Sequence, residues 1–169
     1  IIGPKYGSRR KNNILKEYFG TLALDEAEVP AIVVAYDLKK RSTKLFKTFE
    51  DRDLMAWKVA SATSAAPTFF PAVRIKDDWY LDGAISSNNP ALIAYSEAKK
   101  LWPDENIKIL SIGTGYDDKP FSGLKAKNWG IISWLRGGII QVLMESNSEH
   151  LIAQSLCKEN YLRINSKLN

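Results

Sequence analysis

The chain has 169 residues and a mass of 19.0 kDa, enough for one domain or a large piece of one and too little for two full domains. Its 45% hydrophobic and 25% charged residues are the usage of a folded globular protein and exclude disordered, collagen-like and coiled-coil classes. Lys and Arg number 24 against 19 Asp and Glu, giving +5 and a pI near 9.2, a mild bias toward anionic partners such as acidic lipid headgroups or nucleic acid.

No apolar run approaches the roughly 18 to 20 residues that span a bilayer, since Ile139 to Met144 is broken by Gln141 and meets Glu145. The start, Ile1 to Gly7, has no initiating Met, signal pattern or cleavage site, so the chain is expected to begin within a longer protein. Lys5, Arg9, Arg10, Lys11 and Lys16 face only Glu17 in the first twenty residues, which reads as a solvated helix face. Ile14, Leu15, Tyr18 and Phe19 recur at helical spacing, and Gly20 supplies a stop. Ala31 to Tyr36 is a continuous apolar, β-prone run and reads as a buried strand. Lys44 to Phe49 follows across a polar turn as an edge strand.

Asp53 is positioned to cap a helix from Leu54 to about Ala65, which Pro67 and Pro71 end. Val73 to Ile75 and Trp79 to Leu81 flank the polar tip Lys76-Asp77-Asp78 as a small hairpin that runs into Asp82-Gly83-Ala84. Asn88, Asn89 and Pro90 predict a helix start, with Asn as cap and Pro at the first helical position, and the helix ends near Leu101. Ile107 to Ile112 predicts another strand, closed by the turn Gly113-Thr114-Gly115. Trp129 to Leu156 is mainly helical in pattern, interrupted at Gly137-Gly138, and Tyr161 to Ile164 reads as a last strand. Strand, helix, strand gives α/β character, with no internal repeat or interdomain linker.

Several residues are candidates for chemistry. A carboxylate leaving a strand into a glycine turn, as at Asp82, can be held rigidly while facing solvent, or it can simply cap the turn. Gly113-Thr114-Gly115 lacks the third glycine of a dinucleotide loop and the lysine of a nucleotide-binding loop, so it reads as an ordinary turn rather than a phosphate cradle. His150 and Cys157 are each the only residue of their type, which excludes Cys/His zinc sites and paired-His motifs and accords with a reducing cytosolic setting. Asp77, Asp78, Asp117 and Asp118 do not alternate as calcium ligands do. No metal and no cofactor is expected. The five Trp and seven Tyr do not interleave with basic residues as in an RNA-binding surface, so no nucleic-acid partner is expected either.

Three stretches in order carry a resemblance: Ala62-Thr63-Ser64-Ala65-Ala66-Pro67-Thr68-Phe69-Phe70-Pro71, Leu81-Asp82-Gly83-Ala84 and Asn88-Asn89-Pro90-Ala91-Leu92. Lys16 to Gly20, Ala31 to Leu38 and Ile109 to Gly115 support it. The combination resembles the patatin-like phospholipase family over most of residues 4 to 116, and more loosely beyond. The resemblance implies a three-layer α/β sandwich, a central mixed sheet flanked by helices, of which residues 1–169 are the C-terminal portion of a single domain, incomplete at the N-terminus. It further implies a lipid acyl hydrolase of phospholipase A or lysophospholipase type, using a Ser-Asp dyad without histidine. Asp82, in the motif Asp82, Gly83, Ala84, matches the family's aspartate and would act as general base.

The family's G-x-S-x-G nucleophile elbow and glycine-rich oxyanion segment occur nowhere in the sequence. The nucleophilic serine is thus not in this chain, and its segment is taken to have been cleaved, lost or left out of the sequence. Ser8, Ser61, Ser64, Ser86, Ser87 and Ser111 lack an elbow and none is nominated in its place. The 169 residues alone are expected to be inactive. Implied partners are phospholipid or another acyl lipid, a transient membrane surface, and the missing N-terminal segment. The implied place is cytoplasmic and peripheral to membranes. Phe69, Phe70 and Trp79 are either acyl-channel lining or core. The alternative function is a non-catalytic lipid-binding or regulatory fragment.

Overall fold

β-branched and aromatic residues dominate Ile32 to Asp37, and this segment forms the strand β1 at the centre of the first half of the chain. The computed structural model describes residues 3–116, 122–130, 133 and 149–168. Two compact units divide the chain, Ile1–Ser87 and Asn88–Asn169.

In the first unit, α1 (Ser8–Phe19) ends at Gly20, whose φ of 54° suits glycine and whose N–H returns to Lys16 O. β1 pairs antiparallel with β2 (Ser42–Lys47), which stands at the sheet edge as expected. β2 lies two residues earlier than its apolar pattern suggested. Thr48 leaves the ladder to hold Ala31, accepting from its N–H through Oγ1 at 3.0 Å and donating its own N–H to Ala31 O at 3.1 Å.

Helix α2 runs Ala56–Thr63, shorter than the expected Leu54 to Ala65, and Asp53 does not cap it. Leu54 and Met55 stay outside the helix instead, because Leu54 O accepts from Leu24 N–H at 2.9 Å and the extended Met55 bridges Ala23. Asp53 pairs with Lys76 at 2.9 Å. The expected hairpin forms with a tighter tip and a longer second strand: β3 (Val73–Ile75) and β4 (Asp78–Asp82) pair antiparallel with Asp78 opposite Ile75, so that only Lys76 and Asp77 turn, and β4 docks on β1 to give the order β2-β1-β4-β3.

α2 covers this sheet with its small residues. Val59 and Ala62 are fully buried against Ala35, Phe46, Ile75 and Tyr80, and the alanines let the helix approach closely. Phe46 and Tyr80 meet edge to face, ring centroids 5.0 Å apart. Truncating Phe46 to alanine would remove this centre at a cost of about 3–5 kcal/mol.

In the second unit, α3 (Ala91–Leu101) starts one residue later than expected, with Pro90 at the cap position. Asn89 still caps it, through Oδ1 to Ala91 N–H at 3.3 Å. β5 (Ile109–Ile112) pairs in parallel with β6 (Tyr161–Ile164). Between them lie a short helix α4 (Gly123–Ala126) and α5 (Glu149–Cys157). α3 packs on α5, β5 on α3 and β6 on α5. The expected break at Gly137-Gly138 lies outside the described residues. The described residues are mixed α/β, with a helix packed on a four-stranded antiparallel sheet in the first unit and helices packed on a parallel pair in the second, in keeping with the patatin-like fold that the motifs implied. Among the described residues no helix is long and apolar enough to cross a membrane.

Candidate active site

Asp82 is the last residue of β4, opposite Ala35 of β1, and its N–H donates to Ala65 O at 3.1 Å. The strand register and the exit of α2 therefore fix its backbone together. Its Oδ1 accepts the Ala84 N–H at 2.9 Å, capping the single turn Gly83–Ile85. Oδ2 takes no hydrogen bond among the described residues. The residue thus caps the turn and still presents one carboxylate oxygen.

Gly83 is required here on steric grounds. A Cβ at position 83 would overlap the Val34 carbonyl, because the turn crosses directly over β1. Burial of Asp82 pushes its carboxyl above the usual carboxylate range, while the Ala84 N–H and the Lys11 ammonium oppose that rise.

Lys11 is the residue that sequence reading misjudged. Expected on a solvated face, it is half-buried, with Nζ donating to Ser61 O at 2.9 Å, Ser64 O at 3.1 Å and Ser64 Oγ at 3.2 Å. It thereby caps the C-terminal carbonyls of α2. It also stands 4.5 Å from the centroid of the Phe70 ring. Burial lowers its own basicity, and Asp82 pulls it back up. No local pattern could have revealed this, since its partners lie 50 and 53 residues away.

The serines carry structural duties. Ser61 is fully buried and donates to Asn12 Oδ1 at 2.6 Å, and Ser64 Oγ donates to Ala60 O at 2.7 Å. Ser86 donates to Gly83 O at 3.2 Å, Ser87 and Ser111 are buried, and Ser8 opens α1. None sits on a strand-to-helix elbow. Cys157 is a buried free thiol and His150 lies in the first turn of α5.

Phe69 and Trp79 are 42% and 48% exposed and Phe70 is half-buried, so none of the three is a core residue. Tyr6 stacks with Phe69 at 6.5 Å and meets Phe70 at 5.7 Å, forming an aromatic wall. Asp77 is paired with Arg74 at 3.3 Å and Asp78 with Lys39 at 3.4 Å, while Asp117 and Asp118 lie outside the described residues. In the second unit Gly113 N–H donates to Ile164 O at 2.8 Å and Gly115 N–H to Asn165 Oδ1 at 2.9 Å. The Gly-Thr-Gly turn therefore fastens β5 to the end of β6, as an ordinary turn does.

The family model for the patatin-like phospholipases matches residues 2–95. Among curated relatives, patatin-like protein 2 of Oryza sativa subsp. indica is 29% identical over 97% of this chain and 51% of its own length. Patatin-like protein 1 of Arabidopsis thaliana is 29% identical over 97% of the chain and 49% of its own length, and patatin-17 of Solanum cardiophyllum 26% over 97% and 52%. The chain spans about half the length of these relatives. The family model covers more than half of the residues and includes α1, α2, the four-stranded sheet and the Asp82 turn, and on that match the chain belongs to the patatin-like phospholipase family.

Proposed function

We propose that the chain supplies the aspartate of a Ser-Asp dyad in a lipid acyl hydrolase of phospholipase A or lysophospholipase type, the serine lying on a segment outside these 169 residues. The observation that carries this reading is the Asp82 carboxylate, with one oxygen held by Ala84 N–H and the other without a hydrogen bond among the described residues. In the proposed chemistry that free oxygen accepts the serine proton as the serine oxygen attacks the ester carbonyl. Collapse of the tetrahedral intermediate expels the alcohol, which takes the proton from Asp82, and leaves an acyl-enzyme; the same carboxylate then deprotonates a water that attacks the acyl-enzyme, and the fatty acid leaves as the proton returns to the serine oxygen. Tyr6, Phe69 and Phe70 offer an apolar wall suited to an acyl chain. The lipid substrate implies peripheral work at a membrane surface, and the free thiol of Cys157 accords with the cytoplasm.

The test is Asp82→Asn in a protein that carries the nucleophile segment. Hydrolysis of a fatty-acyl ester is expected to fall by about 10³-fold while vesicle binding is unchanged. Full activity in the variant would refute the dyad. The second reading is a non-catalytic lipid-binding or regulatory fragment. It expects no labelling by a fluorophosphonate probe even when the preceding segment is present.

A further inference from the structure

Independently of the dyad, we infer that the second unit holds a binding site for a phosphate monoester, built around Arg163. A cavity of about 750 Å³ opens at the C-terminal ends of the parallel strands β5 and β6, lined in part by Thr114, Tyr116, His150, Arg163 and Asn165. That volume lies in the range of small-molecule sites, and the carboxyl end of parallel strands is where α/β sheets receive ligands.

Arg163 is held in place from two sides. Its Nη1 donates to Ser111 Oγ at 2.7 Å, and that hydroxyl donates in turn to Asn89 Oδ1 at 3.1 Å. Asn89 is anchored by the hydrogen bond from its Nδ2 to Tyr161 OH at 3.2 Å. The second guanidinium nitrogen, Nη2, lies over Gly113, 3.1 Å from where a Cβ would stand. Among the described residues only Nη1 makes a hydrogen bond. The edge formed by Nε and Nη2 has no hydrogen bond, and the guanidinium has no carboxylate partner, among the described residues.

A positive charge fixed by a hydroxyl-amide chain in the wall of a cavity, with donors left unused among the described residues, is preorganised for an oxyanion. Thr114 is exposed at the same cavity, and neither its N–H nor its hydroxyl has a partner among the described residues. The glycine amides on either side of it are spent on Ile164 and Asn165, so within the turn Thr114 alone has donors to offer the anion. Arg163, Thr114 and His150 together offer donors for three oxygens, which a tetrahedral phosphate uses and a carboxylate does not. The remaining volume, walled by Ile112, Tyr116 and Pro90, accommodates a small organic body esterified to the phosphate. The Glu149 carboxylate is engaged with Asn89 N–H at 2.8 Å.

The chain has one histidine, so its imidazole NMR signals report from this cavity alone. Inorganic phosphate is titrated at constant pH and ionic strength, with chloride as replacement. The His150 signals are expected to shift and saturate below about 10 mM, and acetate is expected to bind at least several-fold more weakly. Arg163→Gln is expected to raise the dissociation constant about tenfold, and Arg163→Lys, which keeps the charge and loses the edge, by a smaller factor. Phosphatidylcholine vesicles with and without phosphatidic acid separate the sources. An Arg163-dependent response to phosphatidic acid assigns the phosphate to a lipid headgroup, and a response to free phosphate alone assigns it to a soluble monoester. A linear, unsaturated drift in the unmodified chain overturns the inference, as does identical binding by a folded Arg163→Gln. Should both variants fail to fold, the unmodified chain's titration decides.

Discussion

Gly83 lies directly on the Val34 carbonyl, so the turn that carries Asp82 is built in contact with the backbone of the neighbouring strand. A methyl group at position 83 must displace β1 or lift the turn. Gly83→Ala is therefore expected to destabilise the protein by roughly 2–3 kcal/mol, the scale of overpacking at a rigid contact. Urea denaturation measures it, with Gly7→Ala as control, because nothing lies near that position. Equal stability of the two variants would show that β1 yields freely.

Burial raises the carboxyl of Asp82 above its ordinary value of 3.8, and the sign of the linkage follows. Between that value and the higher folded value, the native state binds the proton that the unfolded chain has released, so stability falls as pH rises through this window. The ionised carboxylate is a burden that the fold carries at neutral pH. Asp82→Asn keeps an acceptor for Ala84 N–H and removes the charge. The variant is expected to melt higher than the parent at pH 7, the gain shrinking as pH falls through the window and vanishing below about 3.8. A gain that does not change with pH would mean that ionisation is not its source.

The first-unit elements were legible because their patterns are local. The β-branched run of β1, the hairpin turn at Lys76-Asp77 and the Asp82-Gly83 turn each state their geometry within a few residues. What was not legible depends on partners far along the chain. Met55 is drawn into a bridge with Ala23 and Leu54 O is held by Leu24 N–H, which shortens α2 and frees Asp53 for Lys76. Lys11 looks like any surface lysine until α2 and Phe70 close around it. The motif around Asp82 pointed to a carboxylate at a strand end, but its unequal oxygens, one held and one free of hydrogen bonds, are a property of the folded turn.

Lys11 should tune Asp82 as well as hold α1 to α2. Its ammonium lowers the carboxyl of Asp82, so Lys11→Met is expected to move the Asp82 titration to higher pH, and Lys11→Arg to restore most of the shift. Carbon-13 NMR of the carboxylate reads this directly in the chain, and the acid limb of ester hydrolysis reads it in a protein that carries the nucleophile. Loss of the hydrogen bonds to Ser61 O and Ser64 O should also cost about 1–2 kcal/mol of stability. An unmoved Asp82 titration in a folded Lys11→Met would refute the electrostatic link while leaving the structural one intact.

Arg9 and Arg10 lie exposed on α1, on a helix with no buried residue and near the exposed ring of Tyr6 in the chain. If the proposed lipid substrate is met at a bilayer, these charges should strengthen contact with anionic headgroups by about 1 kcal/mol each. The charge-reversed double variant Arg9→Glu and Arg10→Glu is expected to bind vesicles containing phosphatidylserine at least tenfold more weakly, with little change in melting temperature, since neither side chain has a partner to lose among the described residues. Binding by the parent should itself weaken steeply between about 50 and 500 mM salt, as the screening length shrinks toward the size of a contact. Vesicle sedimentation across that range separates the outcomes. A parent that binds equally at both salt concentrations, or a variant that binds like the parent, would place the membrane contact elsewhere on the molecule.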